Sequence, residues 1–303
     1  IADIRRRAVM AGANEVLTYS FVHGKILEQA GQDATQAFKI TNAISPDLQY
    51  YRLSLLPSLL SKVRQNSKQG YDSFALFEIN KVHQKDVFDA DEIDVPAEFH
   101  HLALTVALSP KRAAGKGDPY YEAKSLLEFI VQSALKFVPI TEGKDALSAP
   151  FQPGRSAHVL LNGKIIGVVG EYRAAVTKGF KLPEYAAGFE IDTRLLFKYR
   201  NKSKTYTAPG RFQGTEQDIS IQVAENIAYE EVITAVEGVL QNSHLLSSVT
   251  PIDIYAPENN ATKTITLRIA LSDSQKTIAT NDVKQCIEQI TAEVTTKLNA
   301  RIV

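Results

Sequence analysis

The sequence has few of the features that mark secreted or membrane proteins. Cys286 is the only cysteine among 303 residues, which excludes an internal disulfide and a cysteine-based zinc site within this chain. No apolar run of about 18 residues is present, so a membrane span is not expected. The first residues also lack the pattern of a signal peptide. We therefore predict a protein of a reducing compartment, the cytoplasm, with no membrane partner.

Net charge and catalytic motifs are also missing. Lys plus Arg and Asp plus Glu both number 34, so any nucleic-acid binding must rest on a local patch. The sequence contains no glycine-rich phosphate loop and no spacing that indicates a Ser-His-Asp triad. His100, His101 and His158 lack ligand-like spacing with acids or cysteines. We accordingly predict no catalytic residue and no metal ligand in this chain.

The length favours two domains. A polar, basic stretch that ends in Pro-Gly, "KYRNKSKTYTAPG" at 198–210, is typical of a linker. We predict domains at 1–200 and 201–303. The chain begins at Ile1, not Met, and is already in a helical pattern there, so we expect a piece of a longer protein.

The first domain alternates between strand and helix patterns. Helical spacing is clear at 120–137, and Asn162-Gly163 lies between two strand-like flanks, as in a type I′ hairpin. Strand patterns occur at 15–22, 71–83, 99–109, 157–172 and 186–192. We predict an α+β fold in which helices pack against an antiparallel sheet.

The segment 42–70 joins a polar loop to an amphipathic helix. We place the helix N-cap at Ser54 and its apolar face at four residues, Leu56, Leu59, Leu60 and Val63. Two interpretations of Arg52 stay open. It binds a phosphate, or it orders the loop by bonding backbone carbonyls or pairing with an acid across a subunit interface; we favour the interface.

After the linker, the order of strands and helices is βαββαβ, typical of a ferredoxin-like domain. From Lys204 onward there are 8 Lys and Arg against 12 Asp and Glu, a net charge of −4 that is unusual for an RNA binder. Several of these acids lie on the two helices, away from the open face of the sheet.

Strand alternation assigns side chains to the two faces of this second sheet. Six residues are predicted to face the helices, namely Ile219, Ile221, Val223, Ile265, Leu267 and Ile269. Ser220, Gln222, Thr266 and Arg268 remain for the open face, and Tyr255 ends a strand near them. An aromatic ring beside an arginine can stack an unpaired base and bind its phosphate, and stacking contributes about 1–3 kcal/mol per base.

Five stretches, in order, resemble the bacterial phenylalanyl-tRNA synthetase β-subunit family. They are "EVLTYSFV", "NAISPDLQYYRLSLLPSLLSKVRQN", "FALFEINKV", "FQPGRSAHVLLNGKIIGVVGEY" and "FEIDTRLL". The resemblance implies a class II synthetase-like, catalytically inactive core domain followed by a ferredoxin-fold anticodon-binding domain. The whole enzyme would be an (αβ)₂ heterotetramer that attaches phenylalanine to its tRNA with ATP and Mg²⁺, and its α subunit would hold the active site.

The residues themselves support an inactive nucleotide pocket. A class II site needs an arginine on its central strands for the ATP phosphate, whereas this strand offers Lys81 and His83. In the stretch that resembles the glycine-rich third motif, Gly188 and Arg194 remain. Glu190 stands where small residues would leave room for adenine. We expect this chain to bind no cofactor.

These patterns lead to two predicted binding surfaces. The interface with the α subunit is assigned to Arg52, Leu55 and Leu56. The surface for phenylalanine tRNA is assigned to five residues, Tyr255, Arg268, Arg211, Phe212 and Thr266. Gln213 and Gln217 depart from the family, which usually has proline and arginine there, and this weakens the assignment of Arg211 and Phe212.

Other interpretations stay open. A stand-alone adenylate-forming enzyme is one alternative, and a regulatory binding module without RNA is another. Arg155 is either an anion ligand or a member of a buried structural ion pair. Cys286 is interpreted as a small buried hydrophobe on a helix.

Overall fold

The computed structural model describes residues 1–92, 94–114, 118–200, 212–257 and 261–303. The chain forms two compact units, Ile1–Ser203 and Lys204–Val303. Most of the predicted linker, and Arg211 directly after it, lie outside the described residues. The domain boundary at residue 200 therefore stays a prediction. Among the described helices, none has the length and apolar character that a membrane span requires.

The first unit is built from short helices around one large sheet. In chain order its elements are α1 (Ala2–Met10), β1 (Ala13–Glu15), β2 (Phe21–Val22), α2 (Gly24–Gln29), a 3₁₀ turn (Ala34–Gln36), β3 (Tyr50–Tyr51), α3 (Leu56–Ser67), β4 (Ser73–Val82), β5 (Phe99–Leu108), α4 (Pro110–Ala113), α5 (Pro119–Val131), β6 (Leu135–Pro139), β7 (Phe151–Leu161), β8 (Lys164–Tyr172), α6 (Ala174–Phe180), β9 (Tyr185–Asp192) and α7 (Thr193–Tyr199).

The sheet has seven strands in the order β1-β4-β5-β9-β8-β7-β6. All neighbouring pairs are antiparallel except β1 with β4. One apolar cluster packs α1 and α5 on one face, and a second packs α3 and α6 on the other. The predicted α+β fold with an antiparallel sheet is therefore confirmed.

Local sequence signals located some elements well and others poorly. Asn162 and Gly163 have φ angles of 49° and 75°, as the predicted type I′ hairpin requires. The helix predicted over 120–137 is wrong from Gln132 onward, because Gln132 turns into the left-handed region and β6 follows. The strand predicted over 15–22 is also wrong: β1 belongs to the large sheet, β2 pairs with β3 in a separate two-stranded sheet, and residues 16–20 connect them without strand structure.

The second unit has the predicted βαββαβ order. Its elements are β10 (Thr215–Ala224), α8 (Tyr229–Gln241), β11 (Leu246–Tyr255), β12 (Thr262–Ser272), α9 (Thr280–Leu298) and β13 (Arg301–Ile302). The strand order β11-β12-β10-β13 is that of a ferredoxin-like sheet. The six residues predicted to face the helices are all buried, and so is Cys286, whose thiol has its pKa raised by burial.

Candidate functional site

Glu190 binds the start of helix α3 from a strand that is distant in sequence. Its fully buried carboxylate accepts the Leu55 N–H at 2.8 and 3.0 Å and the Leu56 N–H at 3.0 Å. His101 Nδ1 donates to the same carboxylate at 2.7 Å. A carboxylate at this position satisfies helix N–H groups and complements the helix dipole. Glu190 therefore caps α3 and is not available to an external ligand.

The N-cap predicted at Ser54 is wrong. The helix begins at Leu56, after Leu55, and the Ser54 hydroxyl instead accepts a hydrogen bond from Gln32 Nε2 at 2.6 Å. The physical reason is that Glu190 already occupies the N–H groups that Ser54 would cap.

The space above Gly188 is filled by the protein itself. A Cβ atom at Gly188 would lie 2.1 Å from the Tyr172 phenol oxygen and 2.4 Å from the Leu104 carbonyl oxygen. Tyr172 donates to the Thr105 hydroxyl at 3.0 Å and stacks on Phe151 with ring centroids 5.4 Å apart. Burial raises the pKa of the Tyr172 phenol. Gly188 thus makes room for an internal tyrosine.

Arg52 forms a buried ion pair with Glu78. The Arg52 Nη1–Glu78 Oε1 distance is 3.1 Å, and both side chains are 0% exposed. Arg52 also donates to the Thr18 hydroxyl at 2.8 Å and to the Lys81 carbonyl at 3.0 Å. Glu78 accepts the Thr18 N–H at 3.2 Å and its hydroxyl at 2.6 Å. The pair therefore fixes the segment 16–20 that leaves the sheet.

The residues assigned to the subunit interface are interior residues. Arg52, Leu55 and Leu56 are all 0% exposed within the first unit. Their side chains therefore form no part of the surface of this unit. The prediction that these side chains contact the α subunit directly is corrected accordingly. On either side of Thr18, however, Leu17 is 85% and Tyr19 74% exposed. Arg52 thus supports a segment that presents two large apolar side chains.

The basic residues that the sequence places near the nucleotide pocket contact other residues of the chain. Lys81 pairs with Glu98 at 2.5 Å, and Arg194 lies over the Phe99 ring, 4.4 Å from its centroid. His83 Nδ1 lies 3.1 Å from the Ala97 carbonyl oxygen, and burial lowers the pKa of its imidazole.

Arg155 forms an ion pair at the surface of the first unit. Arg155 pairs with Glu171 at 3.0 Å, but the Arg155 side chain is 68% exposed and that of Glu171 12%, so the ion pair is present without the predicted burial. Among the described residues, no group of three or more His, Cys, Asp or Glu is placed to hold a metal ion.

On the open face of the second sheet, Arg268 is held by acids. Its Nε and Nη2 donate to the two oxygens of Asp218, both at 2.8 Å, and Glu216 lies 3.7 Å away. The bond from Arg268 lowers the pKa of Asp218. Thr266 shares a hydrogen bond of 3.0 Å with Ser220. Sequence reasoning missed Asp218, although strand alternation places it on the same face as Ser220.

Tyr255 is on this face but not beside Arg268. Tyr255 lies opposite Thr264, whereas Arg268 lies opposite Thr250. Four residues along a strand correspond to about 13 Å, so Tyr255 and Arg268 are not the adjacent pair that the sequence suggested. Phe212 is 39% exposed, and Arg211 lies outside the described residues.

Two family models match the chain in succession. One, described as "Phenylalanyl tRNA synthetase beta chain CLM domain", matches residues 1–193. The other, described as "Ferredoxin-fold anticodon binding domain", matches residues 210–302.

Relatives match nearly the whole chain but only part of their own length. The chain is 26% identical to the phenylalanine–tRNA ligase β subunit of Streptococcus agalactiae, over 99% of this chain and 37% of the relative. It is 29% identical to that of Pasteurella multocida over the same shares. Among solved structures, pyrrolysyl-tRNA synthetase from Desulfitobacterium hafniense aligns with 65% of this chain and 67% of its own, with 14% identity and a TM-score of 0.48. The chain spans about 37% of the length of these two β-subunit relatives.

Proposed function

Because the chain belongs to the phenylalanyl-tRNA synthetase β-chain family, we propose that it is a non-catalytic portion of a phenylalanine–tRNA ligase β subunit. The observation that carries this proposal is the succession of the two family models, a core domain and an anticodon-binding domain. The whole enzyme would act in the cytoplasm as an (αβ)₂ heterotetramer that uses ATP and Mg²⁺. Domains at 1–200 and 201–303 remain part of the proposal.

The residues present do not fit ATP in this chain. Tyr172 occupies the space beside Gly188, and Glu190 is committed to helix α3. Lys81 and Arg194 have internal partners, so no guanidinium is offered to a phosphate at those positions. This supports an inactive core domain over a stand-alone adenylate-forming enzyme. ATP would act at the α subunit.

Calorimetric titration tests this point. We expect no saturable binding of ATP with Mg²⁺ to the 303-residue chain, because its own side chains fill the space that a nucleotide would need. The α–β complex, titrated in parallel, serves as the positive control. Saturable binding to the chain alone would contradict the proposal.

For the α subunit, the supported docking segment is residues 16–20. The buried Arg52–Glu78 pair fixes Thr18, and Leu17 and Tyr19 then project into solvent. Large exposed apolar side chains held by a rigid support are typical of a protein interface. Arg52, Leu55 and Leu56 would contribute to this interface indirectly, as buried residues that support its exposed side chains.

Replacing Leu17 or Tyr19 by serine should weaken co-elution with the α subunit on size exclusion, because each variant removes apolar area from the docking segment. A hot-spot side chain costs about 2 kcal/mol or more, a loss of roughly 30-fold in affinity. Tyr71→Ser is the matched control. Tyr71 is similarly exposed, but it lies just before the first residue of β4 and outside the docking segment. An equal loss with Tyr71→Ser, or no loss with either test variant, would count against the docking segment.

For phenylalanine tRNA, we propose contacts by Tyr255, Phe212 and Arg211, with Thr266 and Arg268 nearby on the open face. Tyr255 is exposed at the end of β11, where a base can stack on its ring. The regulatory-module alternative would require no RNA contact at this face.

Replacing Tyr255 by alanine should weaken binding of a phenylalanine tRNA transcript by about 5- to 150-fold, because one stacking contact contributes about 1–3 kcal/mol. Tyr121→Ala is the matched control, because Tyr121 and Tyr255 are both 62% exposed and Tyr121 lies in the first unit. Unchanged affinity in filter-binding titrations would remove Tyr255 from the site.

A further inference from the structure

The open face of the second sheet is divided into rows by cross-strand register. Residues directly opposite each other on neighbouring strands point to the same face. Arg268 shares its row with Asp218 and Thr250. Its guanidinium already makes two hydrogen bonds to Asp218, whose negative charge offsets that of Arg268, so little positive charge is left for a phosphate there.

The row that contains Tyr255 is different in charge. Tyr255 lies opposite Thr264, Thr264 opposite Gln222, and Gln222 opposite Arg301. The row thus runs across all four strands, from the aromatic ring on edge strand β11 to the cation on edge strand β13. Three strand spacings correspond to about 14 Å. Polar, uncharged side chains fill the positions between the two ends.

Arg301 is the cation of this row that is available to a ligand. It is exposed, and its side chain forms no ion pair or hydrogen bond with the part of the chain that the structure describes. Its neighbour on strand β10 is Gln222. An exposed guanidinium, two polar groups and an aromatic ring in a line match the needs of unpaired RNA, which requires charge for its phosphates and π-surface for its bases.

We propose that Arg301 binds a phosphate of the tRNA and that the unpaired RNA crosses the sheet along the row Tyr255–Thr264–Gln222–Arg301. Arg268, neutralised by Asp218, contributes little to this contact. The inference rests on the proposed tRNA-binding function and adds to it a residue and a path.

The test compares Arg301→Gln with the control double variant E293Q/K297Q, whose two residues pair on helix α9. Binding of a phenylalanine tRNA transcript to the 303-residue chain, alone and with the α subunit, is titrated at several salt concentrations. R301Q should weaken binding about 10-fold, as loss of a charge-assisted hydrogen bond does, and lower the salt slope by about 0.7. R301K should retain most of the affinity. E293Q/K297Q removes an i,i+4 ion pair on α9, leaves the net charge unchanged and should stay within about twofold of wild type.

The possible outcomes distinguish failure of the proposed Arg301 path from failure of the tRNA-binding function on which it rests. If the wild-type chain and its complex with the α subunit fail to bind the transcript, both are overturned. If wild type binds and R301Q binds equally well, or E293Q/K297Q loses as much affinity as R301Q, the tRNA-binding function stands and the path through Arg301 is wrong. Far-UV circular dichroism verifies that the variants keep the wild-type fold.

Discussion

Replacing Arg52 by methionine is expected to lower the free energy of unfolding of the first unit by about 3–5 kcal/mol, because the change leaves Glu78 as a buried charge without its cation. Methionine preserves much of the apolar stem of arginine, so lost packing is a small part of the effect. The Thr18 hydroxyl and the Lys81 carbonyl would also lose their guanidinium donor.

Arg155→Met is the matched control. Arg155 pairs with Glu171 at 3.0 Å, almost the same Arg–Glu distance as the 3.1 Å between Arg52 and Glu78, but the Arg155 side chain is 68% exposed. An exposed pair contributes about 0–1 kcal/mol. The two variants therefore differ in burial and not in the chemistry of the pair.

The difference in stability loss between the two variants is measured by urea unfolding, and amide hydrogen exchange assigns that loss to one unit. Amides of β4 and β5 report on the first unit, and amides of β10 and β12 serve as an internal reference in the second. Equal stability losses for Arg52→Met and Arg155→Met would show that the buried pair has no special role. We also expect Arg52→Met to reduce binding of the α subunit, since Thr18 between Leu17 and Tyr19 would lose one of its two partners.

What the sequence predicted well was encoded by neighbouring residues. Asn162-Gly163 can adopt positive φ angles at low cost, so the hairpin was recognisable from two letters and its flanks. Strand alternation likewise identified the buried side of the second sheet, from Ile219 to Ile269. The helix that ends at Gln132 was misjudged because its left-handed residue is not glycine, and the apolar run continues into β6.

What the sequence could not predict depends on contacts between distant segments. Glu190 lies 134 positions from Leu56, so no helix-capping rule identifies it as the cap of α3. The position of Arg52 was misjudged for a related reason: a charged residue before an apolar helix suggested a surface position, whereas Glu78 pairs with Arg52 inside the unit. Tyr255 and Arg268 were taken as neighbours because alternation gives the face of each residue but not the register between strands.

Glu190 provides the second large effect. Replacing it by glutamine should destabilise the first unit by about 2–3 kcal/mol, because hydrogen bonds to a charged group contribute about 1.5–3 kcal/mol. The carboxylate accepts from Leu55, Leu56 and His101. Glutamine has one acceptor oxygen, and its NH₂ group would face donors.

Asp192→Asn is the matched control for Glu190→Gln. Asp192 caps α7 within the local chain, accepting the Arg194 N–H at 2.7 Å and the Leu195 N–H at 3.2 Å. Asparagine is as good an N-cap as aspartate, so this change should cost only a few tenths of a kcal/mol. Both variants remove one negative charge from a helix start, but only Glu190 receives donors from separate segments of the chain.

Hydrogen exchange at the Leu55 and Leu56 amides locates the effect of Glu190→Gln. These N–H groups should lose protection by about 30-fold, which corresponds to roughly 2 kcal/mol, while amides of the second unit keep theirs. If Glu190 were a free acidic ligand in an open pocket, the glutamine variant would leave both the exchange rates and the unfolding free energy unchanged. Lost protection at the start of α3 would instead mean that a carboxylate inside the sheet does structural work where a nucleotide site would need empty space.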